Sequence, residues 1–143
     1  MARSSIRSPS EIAAVPRLLA LFITVACWVH GDSLAGEIIA HDSVQLSAAE
    51  VRDVFLGERQ LLGNLKLVPV DNVAAHAQFL ASVLQTDPPK YAARWTRKSF
   101  REGLVPPSLK GSDAEVTAFV KATPGAIGYV STPSSGVKVL DKF

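Results

Sequence analysis

One cysteine, Cys27, and three histidines, His30, His41 and His76, are all that this chain of 143 residues offers to thiol chemistry and to nitrogen ligation of metals. His41 and His76 lie 35 residues apart, and neither has a second histidine at i+2, i+3 or i+4. No zinc-type pair therefore falls on one face of a helix or strand. The chain also lacks a Gly-x-Ser-x-Gly elbow, a His-Glu-x-x-His helix, a Walker loop and a Gly-x-Gly-x-x-Gly turn. Carboxylates are scattered: Glu50 and Asp53 share a helix face, but Arg52 stands beside them, the pattern of a solvated face rather than an acid–base pair. The expectation is a protein that is not an enzyme and holds neither cofactor nor metal. An excess of one charge sign is missing too, with 15 Lys and Arg against 13 Asp and Glu. That balance points to no nucleic-acid partner.

No apolar run is long enough to span a bilayer. The uncharged, mostly apolar run Leu18 to Val29 has 12 residues, against the roughly 20 that a spanning helix needs. Arg3, Arg7 and Arg17 precede it, and Gly31, Asp32 and Ser33-Leu34-Ala35 follow. This order of basic residues, short apolar run and small residues is that of a secretory signal peptide. Residues 1–35 are expected to leave as a leader cut after Ala35, giving a periplasmic product with no stable membrane span. An uncleaved anchor would have to bury Pro16 and Arg17. A lipoprotein box at Thr24-Val25-Ala26-Cys27 would put Thr24 where an aliphatic residue belongs and shorten the run to six residues. Residues 36–143 then hold no cysteine, and hence no disulfide. Their charges are 15 − 3 = 12 basic and 13 − 2 = 11 acidic, a net of +1. These 108 residues suit one small domain.

Within that domain strands and capped helices alternate. Glu37 to His41 is a short apolar strand. Ser47 and Glu50 form a capping box, Leu46 and Val51 a hydrophobic staple, and Gly57 a stop, around a helix whose stripe is Val51, Val54 and Phe55. Leu65 to Val70 has strand composition, with Pro69 marking an edge. Ala74 to Gln85 reads as a second helix with Ala77, Leu80, Ala81 and Leu84 on one face, broadened by Phe79 and Val83. Asp87-Pro88-Pro89 ends it and caps a third helix. A second capping box, Ser112 with Glu115, opens a fourth that buries Val116, Phe119 and Val120. Thr123-Pro124-Gly125 is a turn, and Ala126 to Val130 and Val137 to Leu140 are strands. The expected class is α/β, a mixed sheet flanked by about four helices.

The third helix carries the strongest electrostatic feature. Lys90, Arg94, Arg97, Lys98 and Arg101 fall within about 100° at helical spacing, with Tyr91, Trp95 and Ser99 on the other side. Such a sector could receive an anion or an acidic partner; equally, it could be a solvated face whose long stems cover Tyr91 and Trp95.

The run Ala122-Thr123-Pro124-Gly125-Ala126-Ile127-Gly128-Tyr129-Val130 resembles the Thr-Pro-Gly-x-Ile-Gly-Tyr-Val signature of the phosphate-binding protein family of ABC-type phosphate uptake. Leu46 to Gly57 is similar to that family's helix ending in Ile-Phe-x-Gly. Val68-Pro69-Val70, Phe79-Leu80, Tyr91 with Trp95, Phe100 and Pro106-Pro107 extend the resemblance over about residues 37–140. It implies a single lobe of a periplasmic-binding-protein-like (type II) fold. In the family two lobes close over phosphate held by amides, hydroxyls and an arginine at helix N-termini. Residues 36–143 match the second lobe. The loop that should bind reads Val70-Asp71-Asn72-Val73-Ala74-Ala75-His76, with no arginine, hydroxyl or glycine, and Asp71 would repel a dianion. Asn72 and His76 are the candidate ligand donors there, while Asn72 and Asp71 are equally suited to capping. Two readings follow. One is a substrate-binding-type protein that takes phosphate or another small anion, alone or with a homodimer or partner supplying the second lobe. The other is an envelope protein-interaction module that has lost its ligand.

Overall fold

The computed structural model describes residues 35–143. The segment expected to be a leader, with Cys27 and the cleavage, anchor and lipoprotein readings, lies outside the described residues apart from Ala35.

The first strand, β1 (Glu37–Ala40), is buried along its whole length. Helix α1 (Ala48–Phe55) opens with the expected reciprocal box: Ser47 Oγ accepts from the Glu50 amide at 3.4 Å, and the Glu50 carboxylate accepts from the Ser47 amide at 2.8 Å. Gly57 ends it at φ +74°, a conformation glycine adopts without strain. Leu65 to Val70 is not one strand. Gly63, at φ +60°, and Asn64 form a two-residue turn that folds β3 (Leu65–Lys66) back on β2 (Leu61–Leu62). Leu67 is buried between this hairpin and β4 (Val68–Asn72). Asp71 and Asn72, expected as loop, are thus the end of a strand.

A composite helix, α2, follows as a 3-10 turn (Val73–Ala75), an α turn (His76–Phe79) and a π turn (Leu80–Leu84), and Gln85 stops it at φ 53°. Its inward face is Ala75, Phe79, Leu80 and Leu84; Ala77 and Ala81 point to solvent. The large side chains set the face, because burying them removes far more apolar area than burying a methyl group. Asp87 caps α3 (Pro88–Glu102) by accepting from the Lys90 amide at 2.9 Å. The short strand β5 (Ser108–Lys110), α4 (Asp113–Ala122), β6 (Ala126–Val130) and β7 (Lys138–Lys142) complete the chain. Ser112 caps α4 as expected, but the Glu115 carboxylate takes the Gly111 amide at 2.8 Å instead of the Ser112 amide, so only half of the second box forms.

The five-stranded sheet has the order β5-β4-β6-β1-β7. β4 is parallel to β5 and β6, and β1 is antiparallel to β6 and β7. Because β5 begins opposite Val70, Pro69 pairs only with Ile127 of β6, and its missing N–H deprives no second neighbour. Alternation along the strands divides the core in two. Ile39, Val70, Ala126 and Val130 pack under Val116 and Val120 of α4. Ile38, Ala40, Ile127 and Tyr129 face α1, α2 and α3. Gly128 lies on the α4 side, where a Cβ would stand 2.5 Å from Val116 Cγ1, so its lack of a side chain sets how closely α4 approaches the sheet. The fold is α/β: a mixed sheet with helices on both faces.

Candidate functional site

Asp71, next to the last residue of β4, lies on the face opposite α4, buried to 5% exposure. Strand alternation brings Tyr129 to the same face, and the α3 stripe brings Tyr91 above it. Tyr129 Oη donates to Asp71 Oδ1 at 3.0 Å, and Tyr91 Oη donates to Oδ2 at 3.1 Å and Oδ1 at 3.3 Å. None of the ion pairs among the described residues includes Asp71. Burial raises its carboxyl from 3.8 to about 6, and the two hydroxyls only partly oppose that shift. Burial, and then the Asp71 charge, push both phenols well above their ordinary value, so they remain donors.

His76 Nδ1 lies 2.8 Å from Tyr129 Oη. The Tyr129 hydrogen is committed to Asp71, so Nδ1 must supply the hydrogen of this second bond. In its neutral form His76 then has Nε2 left as an acceptor. Burial, which lowers the histidine's pKa, favours the same state. In that form its one N–H is used within the protein.

Asp71, His76 and Tyr91 floor an open groove of about 680 Å³, with Tyr129 buried beneath them. One wall is α3, through Ala92, Trp95, Thr96, Ser99 and Phe100, positions that recur at helical spacing. The other is Pro106, Pro107 and Leu109, the last paired with Asp71 in the β4–β5 register. Phe100 is 91% exposed and Leu109 61%. Tyr91 and Trp95 are core residues, as expected, yet each also presents an edge to this groove. Trp95 is fixed by donating to the Phe55 carbonyl at 3.1 Å.

Asn72 sits elsewhere. It is fully buried on the α4 side, where Oδ1 accepts from the Ala74 amide at 3.0 Å and Nδ2 donates to Asp113 Oδ1 at 2.6 Å and to the Tyr129 carbonyl at 3.0 Å. Both amide hydrogens are spent within the protein. Asn72 is the cap of α2 and Asp71 is not, although the sequence allowed either. Asp113, which sequence reading did not single out, gathers donors from three residues in two segments. Besides Asn72, it accepts from the Ser131 amide at 3.0 Å and hydroxyl at 2.7 Å, and from the Thr132 amide at 3.2 Å and hydroxyl at 2.9 Å. Burial opposes its ionisation, but these bonds prevail and hold it below the usual carboxylate range.

The basic residues of α3 lie beside acids that the fold supplies. Lys90 pairs with Asp87 at 3.2 Å, Arg94 with Glu58, and Lys98 with Glu58 at 3.3 Å and Glu102 at 3.4 Å. Arg94 Nε also donates to the Leu56 carbonyl at 3.0 Å. Arg97 and Arg101 take part in none of the ion pairs among the described residues, and with Arg94, Lys98 and Glu102 they surround a hollow of about 170 Å³. Among the described residues no group of three or more His, Cys, Asp or Glu could hold a metal ion, and no helix is long and apolar enough to cross a membrane.

No family model matches the sequence, and no curated protein matches it. Among solved structures, an ABC-type phosphate transport receptor from Vibrio cholerae is weakly similar, at 14% identity and a TM-score of 0.46. The alignment covers 75% of this chain and 46% of the receptor, so the chain spans less than half the length of that protein.

Proposed function

We propose that residues 36–143 are an exported, non-enzymatic binding domain whose site is the groove between α3 and β5. One observation carries this reading. An open cavity of about 680 Å³ runs along an unpartnered helix face, with Phe100 and Leu109 exposed at its rim and Asp71, Tyr91 and His76 at its floor. That size lies within the range of roughly 300–1,000 Å³ typical of small-molecule sites, and a mostly apolar wall with a few convergent polar groups is their usual chemistry. The export claim rests on the arginines, apolar run and Ser33-Leu34-Ala35 of the leader.

Phosphate, the ligand that the sequence resemblance implies, is opposed at this groove. No Lys or Arg lines it, and a buried carboxylate sits on its floor. The alternative anion position is the hollow at Arg94, Arg97, Lys98 and Arg101, which the salt bridges of Arg94 and Lys98 already partly neutralise.

The test is a titration of the full chain with the neutral apolar dye N-phenyl-1-naphthylamine. Its emission should rise in a saturable way, and Phe100→Ser with Leu109→Ser should remove the groove's share. Both positions are exposed, so the fold should survive the change. Equal emission with and without these substitutions would overturn the groove as the site. Mass spectrometry of the exported product should begin at Gly36.

A further inference from the structure

The groove reading leaves the kind of ligand open, and the hydrogen-bond accounting at its floor narrows it. An ionised carboxylate offers about four acceptor directions. Asp71 receives only two hydrogens, one from Tyr91 and one from Tyr129. His76, with Nδ1 committed to Tyr129, adds a free acceptor at Nε2 on the same floor. Three acceptor positions therefore remain at the bottom of an apolar groove, together with one negative charge that no described cation offsets. The titratable groups that reach Asp71 are Tyr91 of α3 and Tyr129 of β6 directly and His76 of α2 through Tyr129, and burial lowers the one base among them, His76. A buried charge with open acceptors and no counter-ion is costly unless something supplies the missing hydrogens and the missing charge.

On that accounting, and resting on the groove as the binding site, we propose that the site takes a small organic cation. Its ligand is a primary ammonium group with three N–H donors, carried on an aromatic or aliphatic body of a few carbons. The ammonium sits against Asp71 and the Nε2 of His76. The apolar body lies along Trp95 and Phe100 of α3, facing Leu109, where an ammonium close to the ring faces gains further attraction. An anion of the same size and shape is rejected, because its charge would meet the Asp71 carboxylate in a place that water screens poorly.

The experiment is isothermal titration of the full chain at pH 7.5, roughly one and a half units above the Asp71 carboxyl, with phenethylammonium, with phenylacetate and with inorganic phosphate as separate ligands. Phenethylammonium should bind saturably and at least about tenfold more tightly than phenylacetate. Asp71→Asn should weaken it by about tenfold or more, while the oxygen retained on Asn can still accept from Tyr129. Phenylacetate or phosphate binding as tightly as the amine would overturn the proposal, and so would an amine affinity unchanged in Asp71→Asn. If the apolar dye binds the groove but the amine does not, the cation preference fails and the groove stands. If neither binds, both fail.

Discussion

Tyr129 and Asp71, 58 positions apart in sequence, are joined by a 3.0 Å hydrogen bond from phenol to carboxylate at the base of the groove. The bond does not repay the burial of the carboxylate, whose pKa remains raised from 3.8 to about 6. Between those values the folded chain holds more protons at this site than the unfolded chain, so this group's contribution to stability falls as pH rises through the window. The penalty is complete above about pH 6 and vanishes below about pH 4. Asp71→Asn should therefore stabilise the protein by about 1–2 kcal/mol at pH 8 and by little at pH 4. Thermal melts of both forms at the two pH values check this. A gain independent of pH would show that the carboxylate charge is not its source.

Tyr129→Phe keeps the ring, which stacks on Phe79 with centroids 3.8 Å apart, and removes only the hydroxyl. Asp71 loses a donor and His76 Nδ1 loses its acceptor. The expected cost is about 1–3 kcal/mol, since a buried carboxylate and a half-buried histidine each lose a partner. The Asp71 carboxyl should also titrate still higher, because a bond that favoured its charged form is gone. Carboxyl-detected NMR titration reads that shift, and an unchanged or lower value would contradict the assigned direction of the bond.

Gly128 and Gly125 test the packing of the signature run. A Cβ at Gly128 would stand 2.5 Å from Val116 Cγ1 and 3.0 Å from Val70 Cγ2, both on buried, close-packed side chains. Gly128→Ala should cost about 1–3 kcal/mol by forcing α4 off the sheet. At Gly125 the obstacle is backbone: the Lys66 carbonyl oxygen would be 2.1 Å away, and φ is +81°. Gly125→Ala should cost more than Gly128→Ala in urea denaturation, because a carbonyl held by the chain yields less than a side chain can. The reverse order would mean that the 65–67 segment moves more easily than α4.

Local chemistry was legible in the sequence, and remote pairing was not. The caps at Ser47, Asp87 and Ser112, the stop at Gly57 and the two-faced run Ala126–Val130 depend on residues at most a few positions apart, and each formed where the residues placed it. The Glu115 carboxylate missed its expected partner by one residue, a margin that the spacing of acceptors cannot resolve. Strand β5 escaped notice because Ser108-Leu109-Lys110 is too short to show a period. The site itself joins Asp71 to Tyr91 across 20 positions and to Tyr129 across 58. No sequence pattern reports that, although an acid next to a strand of apolar residues was a visible anomaly. The basic sector on α3 was visible, but Glu58, which answers it, lies 36 positions before Arg94.

Asp113 supports the opposite side of the sheet by a mechanism with the opposite pH sense. Its carboxylate binds the Asn72 amide and both the backbone and hydroxyl groups of Ser131 and Thr132, tying the end of β4 to the segment after β6. Asp113→Ala would leave the fully buried Asn72 amide with the Tyr129 carbonyl alone and the Ser131 amide without this acceptor. A loss of about 2–4 kcal/mol at pH 7 is expected. Because the folded-state pKa is depressed, the stabilisation that Asp113 contributes is present above the ordinary carboxylate range and is lost as pH falls through its lowered value. The gap in urea midpoint between wild type and Asp113→Ala should thus narrow as pH is taken below the usual carboxylate range. A gap that stays constant down to that pH would show that the aspartate acts by packing rather than through its charge. Asn72 has no other side-chain acceptor, so the same substitution should loosen the β4 end next to Asp71 and weaken ligand binding in the groove without touching any residue that lines it.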